Sequence, residues 1–422
     1  MTDVVKQITL LSKSYEDADF LPRIFGPFRE DAERGNIPVV LFGAGSVGIA
    51  LHYALTLHGV NPICFCDNNN TRVGNSSSGI SIISFYELNN SYKNALVLIA
   101  TDVEAFSKEI CQQLVNNGFA SERILSIEHN PLVYYARLAH SRLDINNCAE
   151  QLSEAFNLLA DQKSRDIFVH RIALFSGGAD YESFQKFISN FSELVAQVST
   201  NQLKANCGMN SYYFENDIVR LNDQEVLVDG GAFTGDSAVA FMNVCSAGGL
   251  EYKHIYCFEP DPVNFSKLER NVSKCRDTTC LRLGLWKKKS MVQFQNSSSV
   301  KPTDCRIVRA TGDIENALVT KGNMEIATIS IDEEFSNEEI SYIKMDVEGA
   351  EIEALRGAEE TLNRCKPKLA ISAYHKREDI YELPLIIHQI YPKYRLYLRH
   401  LSLDPFDTVL FGVPQNGQTT VE

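Results

Sequence analysis

The chain predicts an α/β protein built from two doubly wound, Rossmann-like domains joined by a helical segment, the second sheet finishing on an antiparallel strand. Three observations predict it. Short apolar runs alternate with helical patterns over residues 1–130 and again over 211–422. Residues 131–210 between them carry mainly helical periodicity. The last two strand-like runs are separated only by SLDPFD (402–407), too short for a crossover helix, so that pair must be antiparallel.

In the first region IPVVLF (37–42) is a short apolar run that stops at a glycine and reads as a buried strand. A helix follows from Ser46 to His58 and Gly59 stops it; NPICFCD (61–67) and NALVLIA (94–100) are further strands, and a helix over 103–117 ends at Gly118. In the middle region Leu152, Ala155, Phe156 and Leu159 fall at i, i+3, i+4 and i+7, one face of a helix, and a second helix covers 181–198. No polar cluster suited to chemistry lies there, so the segment reads as a connector or lid. The last region gives seven strands: EVLVD (225–229), HIYCFE (254–259), CLRLGL (280–285), ISYIKMD (340–346), KLAISAY (368–374), YRLYLRHL (394–401) and TVLFGV (408–413). Residues 286–339 read as an added hairpin or loop, and Asn68–Asn70 with the serine clusters at 76–78 and 297–299 are loop signals.

The 422 residues are 44% hydrophobic and 22% charged, which excludes disorder, a collagen and a coiled-coil rod. A net charge of -14 repels nucleic-acid backbone and anionic lipid, so no nucleic-acid partner is expected. No apolar run of about 18 residues occurs, so no transmembrane segment is expected, and the mixed, charged N-terminus lacks a signal peptide's apolar core. The eleven cysteines are scattered, with no CxxC and no zinc spacing to histidine. They read as reduced, mostly buried thiols of a cytoplasmic protein.

Three motifs carry chemistry. Gly43-Ala44-Gly45-Ser46-Val47-Gly48 is a GxGxxG between a strand and a helix, with Asp67 at the end of the next strand. Such a loop brings backbone close to a diphosphate at a helix N-terminus, and the acid accepts ribose hydroxyls. It is either a dinucleotide site, for NAD, or a glycine turn kept for packing in a domain that binds a sugar nucleotide, a partner or nothing.

The second motif is VLVDGGAFTGDS (226–237), in which a strand ends at Asp229 and Gly230, Gly231 and Gly235 make a loop leading into a helix. Thirty residues after Asp229, the next strand ends in Phe258-Glu259-Pro260-Asp261. A carboxylate there chelates a ribose diol and repels a 2′-phosphate. The loop is not GxGxxG, which argues against a diphosphate; a nucleoside without phosphates, such as S-adenosylmethionine, fits better. The third motif, YIKMDVEGAEIEAL (342–355), ends a strand at Asp346 and clusters Asp346, Glu348 and Glu351 at the carboxyl edge of the sheet, where open α/β sheets bind ligands. Asp346 touches the ligand's amino group or orients the acceptor. Glu348 and Glu351 join it or merely favour the helix N-terminus, and the three acids together suit a divalent cation, although no metal is assigned.

On these stretches, with TISIDE and KPKLAISAYH in the same order, residues 211–422 resemble an FkbM-family methyltransferase, a class I S-adenosylmethionine-dependent fold. The resemblance implies O-methylation of a hydroxyl on a sugar, glycolipid or polyketide-type product, and the expected acceptor is a sugar, glycolipid or polysaccharide precursor. By position it places Asp229, Gly230, Gly231, Gly235 and Asp236 along the cofactor loop, Glu259 on the ribose, and Asp346 with Glu348 at the reaction centre. Family members often carry Glu near the end of strand five, where this chain reads Ile371-Ser372-Ala373-Tyr374-His375. His375 and Asp346 are the candidate bases for the acceptor's proton, His375 being otherwise a solvated or capping residue. Trp286 lies beside the adenine or in the core, and Tyr212, Tyr213 and Phe214 either cover the cofactor or pack. The alternative reading is an NAD-dependent oxidoreductase or sugar-nucleotide-binding protein working through the first loop. The expected partners are a saccharide or glycolipid acceptor, with homo-oligomerisation or docking to a glycan-biosynthesis enzyme as roles for residues 1–130.

Overall fold

Fully apolar four-residue runs such as Val39–Phe42 bury both of their faces, which demands helices above and below a parallel sheet. The computed structural model of the chain answers that demand twice. It describes residues 3–14, 20–77, 79–101, 104–126, 143–176, 181–193, 209–273, 275–295, 306–310, 323–401 and 407–415. The predicted strand end at 413 falls within them, whereas residues 194–198 of the predicted second helix and the serines at 297–299 lie outside. The described residues divide into two compact units: one from Asp3–Asn147 with His170–Phe187, the other from Cys148–Val169 with Ile188–Glu422.

The first unit holds a six-stranded sheet in the order β3-β4-β2-β1-β5-β6, with β1 Val39–Phe42, β2 Cys64–Cys66, β3 Ser76–Ser77, β4 Ile80–Ile83, β5 Leu96–Ile99 and β6 Ile124–Ser126. All neighbours are parallel except β3 and β4. Alternate residues serve two cores: Val39, Leu41, Leu96 and Leu98 pack with Leu51 and Leu55 of the helix Ser46–Leu57, while Val40, Phe42, Val97 and Ile99 pack with Leu114 of the helix Glu104–Asn116. Ser76–Ser77, read from sequence as loop, forms a short strand because Gly79 (φ +83°) lets it fold back on β4. The helices Asp3–Ser14 and Phe85–Ser91, the latter closed by a Ser84–Glu87 capping box, and strand β6 were not anticipated.

The second unit is built on a seven-stranded sheet in the order β16-β17-β15-β14-β7-β8-β9. Its strands are β7 Val226–Gly230, β8 His254–Phe258, β9 Thr278–Leu281, β14 Tyr342–Met345, β15 Lys368–Ser372, β16 Tyr394–His400 and β17 Thr408–Pro414. From β9 to β15 the pairs are parallel; β17 runs antiparallel to both β15 and β16. This is the topology expected from the short final connection. CLRLGL is not one strand: the chain leaves the sheet after Leu281, and Gly284–Leu285 (β10) pairs with β13 (Asn323–Ile329) in a separate four-stranded sheet, β10-β13-β11-β12, with β11 Ser290–Gln295 and β12 Arg306–Ala310. The added structure expected in 286–339 is therefore a small sheet, with β11 antiparallel to β12 and to β13.

The helical stretch between the two regions contains Ala149–Leu158, Gln162–Ser176 and Tyr181–Phe191. Within the second unit its residues serve the edge strand β16: Leu159 and Ser192 form bridges to Leu396 and His400, and Ala160 N–H donates to Leu396. Arg399, 1% exposed, donates to Asp161 and Asp217, and its Nε lies 3.8 Å from Glu193.

Candidate active site

In a parallel sheet the loops that follow the strands meet at one edge. In the second unit those loops follow β7, β8, β14 and β15. The β7 loop is shaped by packing on its own chain. Gly231 takes φ +72°, and a Cβ there would stand 1.9 Å from the Asp346 carbonyl oxygen; at Gly230 it would meet Leu285 at 2.7 Å. Gly235 (φ +88°) starts the helix Asp236–Gly248 and lies against Val272 and Leu268. The glycines thus let this loop press against β14. Asp229 is fully buried and pairs with Lys344 at 3.1 Å, and Ser237 donates to it. Asp236 is exposed and takes a hydrogen bond from Asn210.

Glu259 follows β8 beside that loop and is 6% exposed. Its two oxygens accept the Phe233 and Asp261 N–H groups at 3.0 and 2.8 Å. A carboxylate offers about four acceptor positions, so both oxygens retain capacity for a ligand's hydroxyls. Burial pushes its carboxyl up to about 7. Asp261 caps the helix Pro262–Asn271 through Val263 and Asn264, with Pro262 at the first helical position, so Glu259-Pro260-Asp261-Pro262 divides into one site acid and one cap.

At the ends of β14 and β15 the sheet edge is ionic. Asp346 Oδ1 accepts the Tyr374 hydroxyl at 2.9 Å and lies 3.4 Å from His375 Nε2. Glu348 Oε2 lies 3.5 Å from the same nitrogen, and Glu351 Oε1 lies 2.8 Å from His375 Nδ1. The turn that achieves this places Glu348 at φ +55° and Gly349 at φ +91°, both in the left-handed region. Glu351 is fully buried and also accepts the Val347 N–H, so it closes the turn as well as meeting the histidine. Burial alone would lower the His375 ring, but Glu351 first, then Asp346 and Glu348, push it up to about 10. Burial would raise Asp346, and Lys344 with His375 outweighs it, holding the carboxyl below its ordinary range. The three carboxylates thus favour the protonated form of His375 over the proton-accepting form expected from its position. Among the described residues, Asp346, Glu351 and His375 bring one donor atom each within 4.8 Å of one another, a set that suits a divalent cation only when the His375 ring is neutral.

The structure brings Asp229, Gly230, Gly231, Gly235, Glu259, Asp346, Glu348, Glu351 and His375 to one sheet edge. The Trp286 backbone is fixed beside the β7 loop: its N–H donates to Ile329 and its carbonyl lies against Gly357, while its neighbour Leu285 meets Gly230. Tyr212, Tyr213 and Phe214 pack in the core with Phe241 of the helix Asp236–Gly248, and the Tyr213 ring lies 5.6 Å from the Lys344 ammonium. Sequence reasoning missed Lys344, Tyr374 and Asp379. Asp379 is 1% exposed, and burial and Glu351 push it up to about 7. The visible signal was Lys344 itself, a cation inside the apolar run ISYIKMD.

In the first unit the GxGxxG loop is likewise demanded by packing at two positions: a Cβ at Gly43 would stand 2.7 Å from the Ala100 carbonyl and one at Gly48 1.9 Å from that of Gly43. Gly45 meets only Arg72 Nη1, at 3.7 Å. Asp67 accepts the Ala44 and Asn69 N–H groups and pairs with Arg72 at 3.1 Å, so three of its acceptor positions are spent on its own loop.

Residues 229–400 match the family described as methyltransferase FkbM domain. Over 157 residues, 35% of this chain, it is 31% identical to the hexuronic acid methyltransferase AglP of Haloferax volcanii; the match spans 58% of that relative's length. The crystal structure of methyltransferase FkbM from Methylobacillus flagellatus KT shares the fold, with a TM-score of 0.55 and 21% identity, covering 97% of this chain and 99% of that one. Among the described residues no helix is long and apolar enough to cross a membrane.

Proposed function

We propose that the protein is an S-adenosylmethionine-dependent methyltransferase that methylates a hydroxyl of a saccharide, with a hexuronic acid as the acceptor unit. The single observation that carries this reading is Glu259: a buried carboxylate anchored by two loop N–H groups, with acceptor capacity left over, at the carboxyl edge of a class I sheet. That donor set fits a ribose diol. The FkbM domain match supports the reaction class, and the relative's name supports the acceptor. Lys376, exposed and seated against Gly349, offers a cation to a uronic carboxylate.

S-adenosylmethionine supplies a methyl group already activated by a positively charged sulfur. Glu259 binds the ribose hydroxyls. Asp346, its Oδ1 held by Tyr374 and His375, accepts the acceptor's hydroxyl hydrogen bond and fixes the direction of the oxygen lone pair. Asp346 takes the proton late, when the methylated oxygen is positive and far more acidic than any carboxylic acid, so a weakly basic carboxylate suffices. His375 keeps its own proton and balances the three acids around it.

Titration of the full chain with S-adenosylhomocysteine tests the donor. No binding by folded protein defeats the reading. Incubation with S-adenosylmethionine and saccharides with or without hexuronic acid tests the acceptor, read by mass spectrometry as a gain of one methylene. Methylation of neutral sugars alone would remove the uronic assignment and leave the reaction class.

A further inference from the structure

We propose that Lys344 is the positioning residue of the methyl-donor pocket: its ammonium clamps the glycine loop to the strand that carries Asp346, and so fixes the loop in the form that accepts the nucleoside. The inference rests on the reading of that pocket as an S-adenosylmethionine site.

The clamp follows from register. On the parallel strands β7 and β14, Asp229 pairs with Lys344 and Gly230 with Met345, so the Asp229 and Lys344 side chains leave the same face. Both are withdrawn from solvent, their side chains 0% and 4% exposed, and they meet at 3.1 Å. Lys344 Nζ also donates to the Gly231 carbonyl at 3.0 Å and reaches the Gly230 carbonyl at 3.4 Å. The Gly230 carbonyl accepts the Asp346 N–H at 3.0 Å as well. On the other side of the loop, the Gly231 and Ala232 N–H groups both donate to the Phe258 carbonyl at the end of β8. The loop is thus held from both sides, by backbone towards β8 and by a side chain towards β14.

A buried ion pair contributes little net stability compared with well-packed apolar residues, and a central parallel strand accommodates such residues readily. What an apolar residue at 344 cannot do is hold two loop carbonyls. Because the Gly231 backbone already touches the Asp346 carbonyl, the position of the loop and that of the reaction-centre strand are set together at this point.

The test uses the full chain as wild type, as Lys344→Met, and as the double variant Asp229→Asn/Lys344→Met, which leaves no unpaired buried charge if the single variant fails to fold. Folding is followed by a cooperative thermal melt, S-adenosylhomocysteine affinity by calorimetry, and turnover by methyl transfer to a saccharide acceptor. For the folded double variant the expected result is affinity weakened about tenfold and donor KM raised by a similar factor, with kcat at saturating donor within about threefold of wild type. A folded double variant that binds as tightly as wild type overturns the positioning role and leaves the pocket assignment intact. Failure of wild type itself to bind overturns the pocket assignment, and this inference with it.

Discussion

Glu259 is asked to hold two opposed properties, burial and charge. Its folded value of about 7 stands above the ordinary 4.5 of a glutamate, so the native protein prefers the protonated form. Its contribution to stability is therefore fully present below about 4.5 and is lost as pH rises through about 7. Ligand hydroxyls require the ionised form, so binding runs the other way. S-adenosylhomocysteine affinity, measured by calorimetry between pH 5.5 and 8, is expected to fall about tenfold for each pH unit below 7 and to level off above it. In Glu259→Gln the affinity should be weak and this slope absent; a slope that survives the substitution would assign it to another group. Glu259 and Asp346 were legible in sequence because each ends a buried apolar run at a sheet edge. The ring of carboxylates around His375 was not, since Glu351, Asp346 and Glu348 reach it only through a turn at φ +55° and +91° that no local pattern announces. Lys344 was hidden for a related reason: its meaning lies in its register with Asp229, a pairing between segments more than a hundred residues apart.

At the level of elements, the glycine loop shows how a motif's residues answer to the fold before they answer to a ligand. Gly231→Ala would drive a methyl group into the Asp346 carbonyl and force an L side chain to φ +72°. A loss of about 3 kcal/mol is expected by denaturant titration, together with weakened donor binding. An unchanged midpoint would mean the loop sits away from β14. The antiparallel finish of the sheet was readable from a six-residue connection, because a crossover needs more chain than that. The division of CLRLGL between two sheets was not, because an apolar hexapeptide carries no mark of where its strand partner changes.

For the chain as a whole, the helical stretch is shared out. Cys148–Val169 belongs with the second unit, His170–Phe187 with the first, and the chain then returns to the second. Periodicity could identify the helix over Ala149–Leu158 and the one from Tyr181, but not assign them, since an apolar stripe does not say what covers it; the helix Gln162–Ser176 was not anticipated. The assignment bears on where the protein can be cut. A fragment starting at residue 211 keeps Asp217 but loses Asp161 and Glu193, leaving the buried Arg399 with one acid, and it uncovers the edge of β16 where Leu159 and Ala160 were seated. Losing partners of a buried charge costs about 3–5 kcal/mol, and a bare edge strand invites association. The fragment is expected to melt well below the full chain and to aggregate by light scattering. A monomeric fragment with an undiminished melting temperature would show that these contacts are dispensable.

Glu348 occupies a backbone conformation that suits glycine, with an acidic side chain turned towards the histidine ring. Such a residue trades durability for reactivity. In Glu348→Gly the turn relaxes, and the protein should withstand about 1 kcal/mol more denaturant stress while turning over more slowly. Heat-selected descendants of this sequence would be expected to lose the glutamate first.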